Sequence, residues 1–367
     1  MLVFKEKIQY IDPLNIIFLC GSKFKPKSGK DKRVILKEYL SQKLNNSRMV
    51  ILEENFVFSN SSKKYLAYDD IFLKNLFEVE KLAALYADKV IIIHETLSTA
   101  AEIGMLAGDI ELTPKICVLV PDDISIEENK VSSFIRFAFF NEQDQVSRKP
   151  RKIVYYPDVE IYRSSKNKSE YHTFFYQNEI GDNLGNQILD FVNKPNVERE
   201  IKFKKSIYGK SYNDKGTLSY SINEEEKKID ISLCAGVLKI QLLALFSVDT
   251  FKSLLRSENH IKDHVTNIED NYKQILVNTV CYIEGLDPSD FSIQVDIIDI
   301  ASCNLRQAIG YFLYMLQAIE LIKLEQQTEN LASNVRKVRF SEQLNLYTDE
   351  IEDYISETSK TAFGGII

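Results

Sequence analysis

Short apolar runs alternate with segments of helical periodicity along roughly the first half of the chain. One run covers Val90 to Ile93, a polar turn and a helical pattern beginning at Ser98 or Thr99 follow, and a second run covers Ile116 to Val120. Short runs rich in β-branched residues are typical of buried strands, and apolar residues three or four apart are typical of helices. The pattern predicts a strand–loop–helix–strand unit, which packs as a right-handed crossover in a parallel sheet.

The same alternation continues on both sides of this unit. It predicts further strands over Asn15–Cys20, Met49–Leu52 and Lys152–Tyr156, and helices over Asp31–Leu44, Ser62–Leu85, Ser132–Phe140 and about Glu170–Val192. Five strands alternating with helices predict an α/β fold: a five-stranded, doubly wound parallel sheet in the flavodoxin-like order, with its switch point between strands one and three. We expect a ligand crevice there, where the Cys20-Gly21-Ser22 turn faces the Ser98-to-Glu102 turn.

The second half of the chain has a different pattern. Lys194–Asp230 is polar and lysine-rich and contains turn-forming residues, which predicts a linker that has room for a small hairpin. The predicted organisation is therefore a first domain over 1–195, a linker over 196–230 and a second domain over 231–367.

The predicted second domain is mainly helical. Helical periodicity covers Ile231–Leu255, Val265–Glu284 and Val295–Lys323, and strand signals return only at Val335. Helices followed by two short segments, Arg336–Phe340 and Leu344–Tyr347, resemble the end of a winged helix with these segments as its wing. A helical dimerisation module fits the same pattern equally well.

Length and charge narrow the function classes. A chain of 367 residues should form about two domains, and 44% hydrophobic with 27% charged residues is typical of a globular protein. The net charge is −7, and from Ile201 onward 18 Lys and Arg stand against 24 Asp and Glu. This balance argues against a large nucleic-acid interface built from phosphate contacts. The sequence contains neither a cleavable signal nor a membrane-spanning run, so we expect a cytoplasmic protein that makes no membrane contact.

Cysteine and histidine spacing predicts no metal site. The five cysteines form no C-x-x-C pair and their number is odd, so neither a disulfide framework nor a zinc site is expected, and we predict reduced, mostly buried thiols. His260 and His264 are four residues apart, but no carboxylate motif completes a metalloprotease signature around them. We predict a surface pair there.

Several nucleotide-binding and hydrolase signatures are excluded. The glycine- and lysine-containing Gly21–Asp31 lacks phosphate-loop spacing, although its lysines, with Lys32 and Arg33, could attract a substrate phosphate. No G-x-G-x-x-G follows the first strand, and no G-x-S-x-G or catalytic Cys/His arrangement is present. The remaining candidates are carboxylates near predicted strand ends: Glu53, Glu54, Asp69, Asp70, Glu80, Asp88, Glu95 and Glu102. Carboxylate chemistry without a metal favours glycosyl transfer.

Glu102 has two interpretations. Thr99-x-x-Glu102 reads as a capping box, in which the glutamate only satisfies the start of its helix. The alternative is a catalytic carboxylate that attacks a sugar.

A set of motifs resembles the nucleoside 2-deoxyribosyltransferase family. Glu80, then Asp88 before the strand KVIII, then A-E-I-G around Glu102 followed by KICVLVP, is similar to that family's core. The resemblance implies that Glu102 is the nucleophile, that Glu80 is the acid/base residue, and that Cys20-Gly21-Ser22 belong to the first substrate-contacting loop.

The match is closer to a divergent branch of that family, the effectors encoded beside retron reverse transcriptases in bacterial anti-phage systems. It includes an I-F-L-C-G first strand and the Glu95, Thr96, Ser98, Thr99 pattern before the nucleophile. The resemblance implies that Glu95, Ser98 and Thr99 also contact the substrate. Glu80 stands where the transferases carry Asp, and Leu97 to Thr99 where they carry an acidic residue and glycine, which favours hydrolysis over base exchange.

The expected function is hydrolysis of the N-glycosidic bond of NAD or a deoxynucleotide, with the nucleotide as substrate and no cofactor. The resemblance implies a reverse transcriptase and its RNA–DNA product as partners, and a homo-oligomer is left open. The alternative is a nucleotide-sensing module without turnover that signals through its helical domain.

Overall fold

A computed structural model gives the fold of most of the chain. It describes residues 1–22, 31–45, 47–55, 76–109, 112–122, 153–163, 168–173, 180–194, 198–206, 216–257, 259–300, 303–325 and 335–358. The helix predicted over Ser132–Phe140 lies outside the described residues.

The chain divides into two compact units whose boundaries differ from the predicted ones. A parallel-sheet unit comprises 14–55 and 83–196, and a terminal unit comprises 1–13, 56–82 and 197–367. Each unit is therefore built from separate stretches of sequence, and the first thirteen residues belong with the second half of the chain.

The strands and helices are named in chain order. The strands are β1 Leu2–Phe4, β2 Lys7–Tyr10, β3 Asn15–Cys20, β4 Ser47–Val50, β5 Lys89–Ile93, β6 Ile116–Asp122, β7 Ile153–Arg163, β8 Lys168–Thr173, β9 Arg199–Lys205, β10 Thr217–Asn223, β11 Lys228–Leu233, β12 Asn259–His260, β13 Ser292–Ile297, β14 Ile322–Glu325, β15 Val335–Phe340 and β16 Ile355–Glu357. The α-helices are α1 Lys32–Lys43, α2 Leu52–Asn55, α3 Leu76–Tyr86, α4 Leu97–Ala107, α5 Asp182–Val192, α6 Ala235–Leu245, α7 Asp249–Arg256, α8 Ile261–Glu284, α9 Leu305–Ala318 and α10 Glu342–Asp349.

The parallel-sheet unit contains a six-stranded sheet in the order β4-β3-β5-β6-β7-β8. The first five strands of this order are parallel, and β8 adds to β7 in the antiparallel sense. The sheet therefore has one strand more than predicted, because the start of the helix predicted over 170–192 forms part of β8 and only α5 remains helical. Strand β3, the first strand of this sheet along the chain, lies between the second and the third.

Both faces of the three central strands are buried, as a sheet covered by helices on both sides requires. On one face Ile17, Leu19 and Ile91 pack with Leu36 and Leu40 of α1 and with Leu184 and Ile188 of α5. On the other face Ile16, Phe18, Val90 and Ile92 are at most 2% exposed. This explains why these strands read as continuous apolar runs rather than as alternating patterns.

The terminal unit contains a five-stranded mixed sheet in the order β13-β11-β10-β9-β2. Strands β9 and β10 and the start of β11 contain most of the described residues of the stretch whose composition predicts a linker. Lysines that alternate with apolar residues in β9, such as Lys202 beside the buried Ile201 and Phe203, give this stretch its polar composition although one face of the strand is buried. The described part of the predicted linker therefore lies largely in the sheet.

The helical region of the terminal unit is interrupted by strands that the periodicity did not indicate. The first predicted helix, Ile231–Leu255, overlaps β11, α6 and α7 of the structure. The second, Val265–Glu284, matches α8, and the third, Val295–Lys323, is divided into β13, α9 and β14. Strands β12, β15 and β14 form a three-stranded antiparallel sheet. The prediction that Leu344–Tyr347 forms the second segment of a wing is wrong, because these residues belong to helix α10. Strand β15 pairs with β14 instead.

Two smaller expectations have different outcomes. Four of the five thiols are buried and that of Cys234 is half-buried, so the predicted mostly buried cysteines are confirmed, and burial raises the pKa of Cys281 to about 11. The predicted surface histidine pair is wrong for His264, which is 1% exposed within α8. No helix in the described part of the chain is both long and apolar enough to cross a membrane.

Candidate active site

The carboxyl ends of β3 and β5 lie side by side in the parallel-sheet unit. The two strands are parallel neighbours, with Cys20 in register with Ile92, so the turns that follow them leave the sheet at the same edge. The Ser22 hydroxyl donates a hydrogen bond to Oε2 of Glu95 over 3.3 Å. The structure thus brings together two of the predicted substrate-contacting residues, at the switch point where open α/β sheets bind ligands.

The start of α1 lies at the same place. Lys32, its first residue, forms an ion pair with Oε1 of Glu95, and the side chains of Lys32 and Glu95 are 19% and 26% exposed. Asp31 caps the helix by accepting a hydrogen bond from the backbone N–H of Arg33. This end of the sheet therefore combines a capped helix N-terminus, an ammonium group, a hydroxyl group and a carboxylate.

Arg33 connects three segments at this end of the sheet. Its guanidinium donates to both carboxylate oxygens of Glu53 over 3.0 and 3.1 Å, to Asp31 over 3.0 Å and to the carbonyl oxygen of Ser22 over 2.5 Å. A Cβ atom on Gly21 would lie 2.9 Å from the Arg33 Cδ, so a glycine is required where this side chain passes the turn. Arg33 thus fixes the Gly21-Ser22 turn against α1 and the end of β4.

Replacing Arg33 by Lys should loosen this turn. An ammonium group cannot reach Glu53, Asp31 and Ser22 at once, so we expect a loss of about 1.5–3 kcal/mol in the free energy of unfolding, measured by urea denaturation. Lys37→Arg, on the same helix, is the control, because the Lys37–Glu54 pair is largely solvated and should contribute at most about 1 kcal/mol. Equal stability of the two variants would contradict this role of Arg33.

Helix α4 begins earlier than its sequence pattern predicts. Thr96 is the N-cap, its side chain accepts a hydrogen bond from the N–H of Thr99, and the Thr99 hydroxyl accepts one from the N–H of Thr96 over 3.1 Å. The capping box is therefore Thr96-x-x-Thr99, and the predicted box of Thr99 with Glu102 is wrong. The reason is that Thr96 can also serve as an N-cap, and it lies three residues closer to the strand than Thr99.

Glu102 consequently lies in the second turn of α4, away from the orphan N–H groups of the helix start. It is half-buried, and its Oε2 atom is fully shielded from solvent. It follows Thr99 by three positions, so the two Cβ atoms lie about 5–6 Å apart on one face of the helix. This face is the one on which Thr99 bonds the backbone at the end of β5.

The Thr99 side chain is fully buried and occupied by this local structure. Its hydroxyl accepts from the N–H of Glu95 over 3.2 Å and donates to the carbonyl oxygen of Thr96 over 2.7 Å. It also lies 3.1 Å from Nδ1 of His94. Thr99 therefore positions the β5–α4 connection, and its predicted contact with substrate stays a prediction.

His94 should make stability depend on pH. Burial lowers the pKa of His94, against an opposing effect of Glu95, so the unfolded chain binds a proton at this residue more readily than the folded chain. Unfolding therefore takes up a proton just below the ordinary histidine pKa of about 6.5, and stability falls as pH falls through this window. We expect His94→Gln to lose less stability than the wild type between pH 7.5 and 5.5.

Urea midpoints at the two pH values measure this difference. His260→Gln, at an exposed histidine, is the control and should keep the wild-type pH dependence. An unchanged pH dependence in His94→Gln would contradict the assignment.

The sequence as a whole matches a known protein family. A family model described as STM3845 retron effector protein matches residues 29–356, which is most of the chain and includes α1, β5 and α4. The chain belongs to the STM3845 retron effector protein family. Membership indicates a role in anti-phage defence and association with a retron system. A comparison with curated proteins gives no match.

The other predicted site residues of this retron effector are distributed unevenly. Cys20 is buried at the end of β3, Gly21 and Ser22 are half-buried, and Ser98 is exposed in the first turn of α4. Glu80 lies in the part of α3 that groups with the terminal unit, whereas Glu102 belongs to the parallel-sheet unit. The pairing of Glu80 with Glu102 therefore stays a prediction from the resemblance.

Sequence reasoning on this retron effector missed the network around Arg33. In the sequence, Arg33 is one member of a run of basic residues, and Glu53 is one of several carboxylates after predicted strands. Neither pattern indicates that the two residues are in contact. Their contact depends on β4 lying next to β3 in the sheet, which places α2, the short helix after β4 that contains Glu53, beside the start of α1. The cap residue Thr96 was missed as well, although a Thr-x-x-Thr spacing marks it.

Proposed function

We propose that this retron effector hydrolyses the N-glycosidic bond of a nucleotide, NAD or a deoxynucleotide, with Glu102 as the nucleophile. The observation that carries the proposal is the start of α4, where Thr96 and Thr99 complete the capping box without Glu102. Helix capping therefore does not explain the glutamate in this motif, and a carboxylate with one oxygen shielded from solvent, on the helix that follows β5, suits chemistry on a sugar.

In the proposed mechanism a carboxylate oxygen of Glu102 attacks the anomeric carbon while the bond from that carbon to the base nitrogen breaks. The transition state has oxocarbenium character, which a nearby negative charge stabilises. The base of a deoxynucleotide leaves with a proton, whereas nicotinamide leaves the cationic ring of NAD as a neutral molecule without one. Water then hydrolyses the glycosyl–enzyme ester, which releases the sugar and restores Glu102. Glu80 handles the proton of the leaving base or of the water, as the resemblance implies.

We also propose a fold class for each of the two units. The order of the parallel strands around β3 supports a flavodoxin-like arrangement with one added antiparallel strand. The sheet β12-β15-β14, with α8 and α9 between its first and second strands along the chain, supports a winged-helix-like region. As the resemblance implies, we propose a reverse transcriptase and its RNA–DNA product as partners that restrain the enzyme.

Incubation of the full chain with NAD and with deoxynucleotides tests the proposal. Chromatography should detect free nicotinamide or a free base that accumulates in proportion to enzyme and time. Tight nucleotide binding without release of any base would instead support the second candidate, a sensing module that transmits a signal without turnover.

A further inference from the structure

The carboxylate of Glu95, at the carboxyl ends of β3 and β5, is held in the way that a bound anion is held. One oxygen pairs with the ammonium group of Lys32 and the other accepts from the Ser22 hydroxyl over 3.3 Å. The Asp31 carboxylate already caps the N-terminus of α1, so the donors at this point are the Lys32 ammonium and the Ser22 hydroxyl. Ammonium and hydroxyl groups are donors that bind phosphate groups in proteins.

The two cations at this edge play different parts. Arg33 is 2% exposed, and Asp31, Glu53 and Ser22 accept hydrogen bonds from its guanidinium. Moving it would disrupt the Gly21-Ser22 turn. The Lys32 side chain is 19% exposed, and the Glu95 carboxylate with which it pairs lies on the connection between β5 and α4, where an incoming anion can compete for the same ammonium group.

Glu95 is placed so that it can leave. It is the second residue after β5 and its side chain is 26% exposed, so rotation of this side chain can move the carboxylate towards water while β5 and α4 stay in place. A phosphate monoester carries more negative charge than a carboxylate and has more acceptor oxygens, so it competes for the same donors. A nearby carboxylate also repels an incoming phosphate, which favours this rotation.

We propose that Lys32 and Ser22 form a subsite for a phosphate group of the substrate, and that Glu95 fills this subsite until a nucleotide displaces it. This inference rests on the proposed function in taking a nucleotide as substrate, and it adds the recognition of phosphate-bearing nucleotides over nucleosides. It also changes the role of Glu95 from a substrate contact, as the resemblance implies, to an internal competitor of the substrate.

Opposite effects of two substitutions test the proposal. Dissociation constants are measured by titration calorimetry for two ligand pairs, deoxyadenosine monophosphate with deoxyadenosine and NAD with nicotinamide riboside, on full-chain protein carrying Glu102→Gln to prevent turnover. Lys32→Gln should weaken binding of a phosphorylated ligand about tenfold or more, and Glu95→Gln should tighten it about threefold to tenfold. The affinity of the matching nucleoside should change by no more than about twofold. A response of deoxyadenosine monophosphate to these substitutions would identify a monophosphate as the recognised group, and a response of NAD would identify a pyrophosphate.

Two controls show whether a change in affinity comes from the loss of charge or from a loss of folding. Lys32→Arg keeps the positive charge and should retain most of the affinity for the phosphorylated ligand, and melting temperatures verify that each variant folds. Weaker binding in Glu95→Gln, an equal loss of nucleoside and nucleotide in Lys32→Gln, or no binding of either phosphorylated ligand to Glu95→Gln would overturn the proposal.

The result can be separated from that of the proposed function. Binding that depends on Lys32 and on phosphate, in a protein whose wild type releases no base, would overturn the glycosidase and keep the subsite. Base release whose KM for the nucleotide is unchanged in Lys32→Gln would overturn the subsite and keep the glycosidase.

Discussion

Replacing Glu102 by Gln is expected to reduce base release from the nucleotide by about a thousandfold or more. The amide has nearly the shape of the carboxylate but cannot attack the anomeric carbon or stabilise its positive charge, and removing a nucleophile typically has effects of this size or larger. The folded state should survive, because the start of α4 is capped by Thr96 and Thr99. We expect the free energy of unfolding to change by at most about 1 kcal/mol.

Glu38→Gln is the matched control for this experiment. It makes the same change at an exposed carboxylate on α1 of the same unit, so rate and stability should both stay at the wild-type values. Wild-type turnover in Glu102→Gln would refute the nucleophile assignment. A loss of turnover accompanied by unfolding would assign Glu102 to stability instead.

Replacing Asp12 by Asn is expected to cost about 3–5 kcal/mol of the stability of the terminal unit. Lys239 lies in α6, a helix that is buried on nearly all sides, and its ammonium is 2.5 Å from the carboxylate of Asp12. The two side chains are only 3% and 8% exposed. Removing one charge leaves the other buried with a neutral neighbour, and this cost far exceeds the loss of a solvated pair.

Asp230→Asn provides the comparison for this prediction. The pair of Asp230 with Lys228 has the same chemistry, but the two side chains are 46% and 38% exposed, so the same substitution should cost no more than about 1 kcal/mol in urea denaturation. The double variant Asp12→Leu with Lys239→Met should regain most of the lost stability, because it buries no charge. Similar costs for the two Asp→Asn variants would show that the buried pair contributes no more than a surface pair.

The parallel-sheet unit was predictable from sequence to the extent that its strands are buried on both faces. Ile16 to Cys20 and Val90 to Ile93 are apolar without interruption, so their positions follow from composition alone. The five-stranded sheet of the terminal unit was not predictable in this way. Its strands β9 and β11 are half-exposed and lysine-containing, and the partner of β9 is β2, about 190 residues away along the chain.

The candidate site shows the same division between local and distant information. Glu102, Glu95 and Ser22 were identifiable because motifs mark them, and the contact between Ser22 and Glu95 followed from adjacent parallel strands. The helix start was misplaced because Thr96 and Thr99 are both competent N-caps, and only the backbone decides between them. The Arg33 network depends on three separate segments and leaves no pattern in any of them.

The pairing of β1 with β16 has a consequence for biosynthesis. Leu2 is in register with Glu357, so β1 can pair with β16 only after residue 357 has been synthesised. Residues 14–55 and 83–196 are complete much earlier, and their shorter separations favour rapid folding. A nascent polypeptide halted between residues 196 and 355 would therefore carry the complete sequence of the parallel-sheet unit while β1 lacks its neighbour.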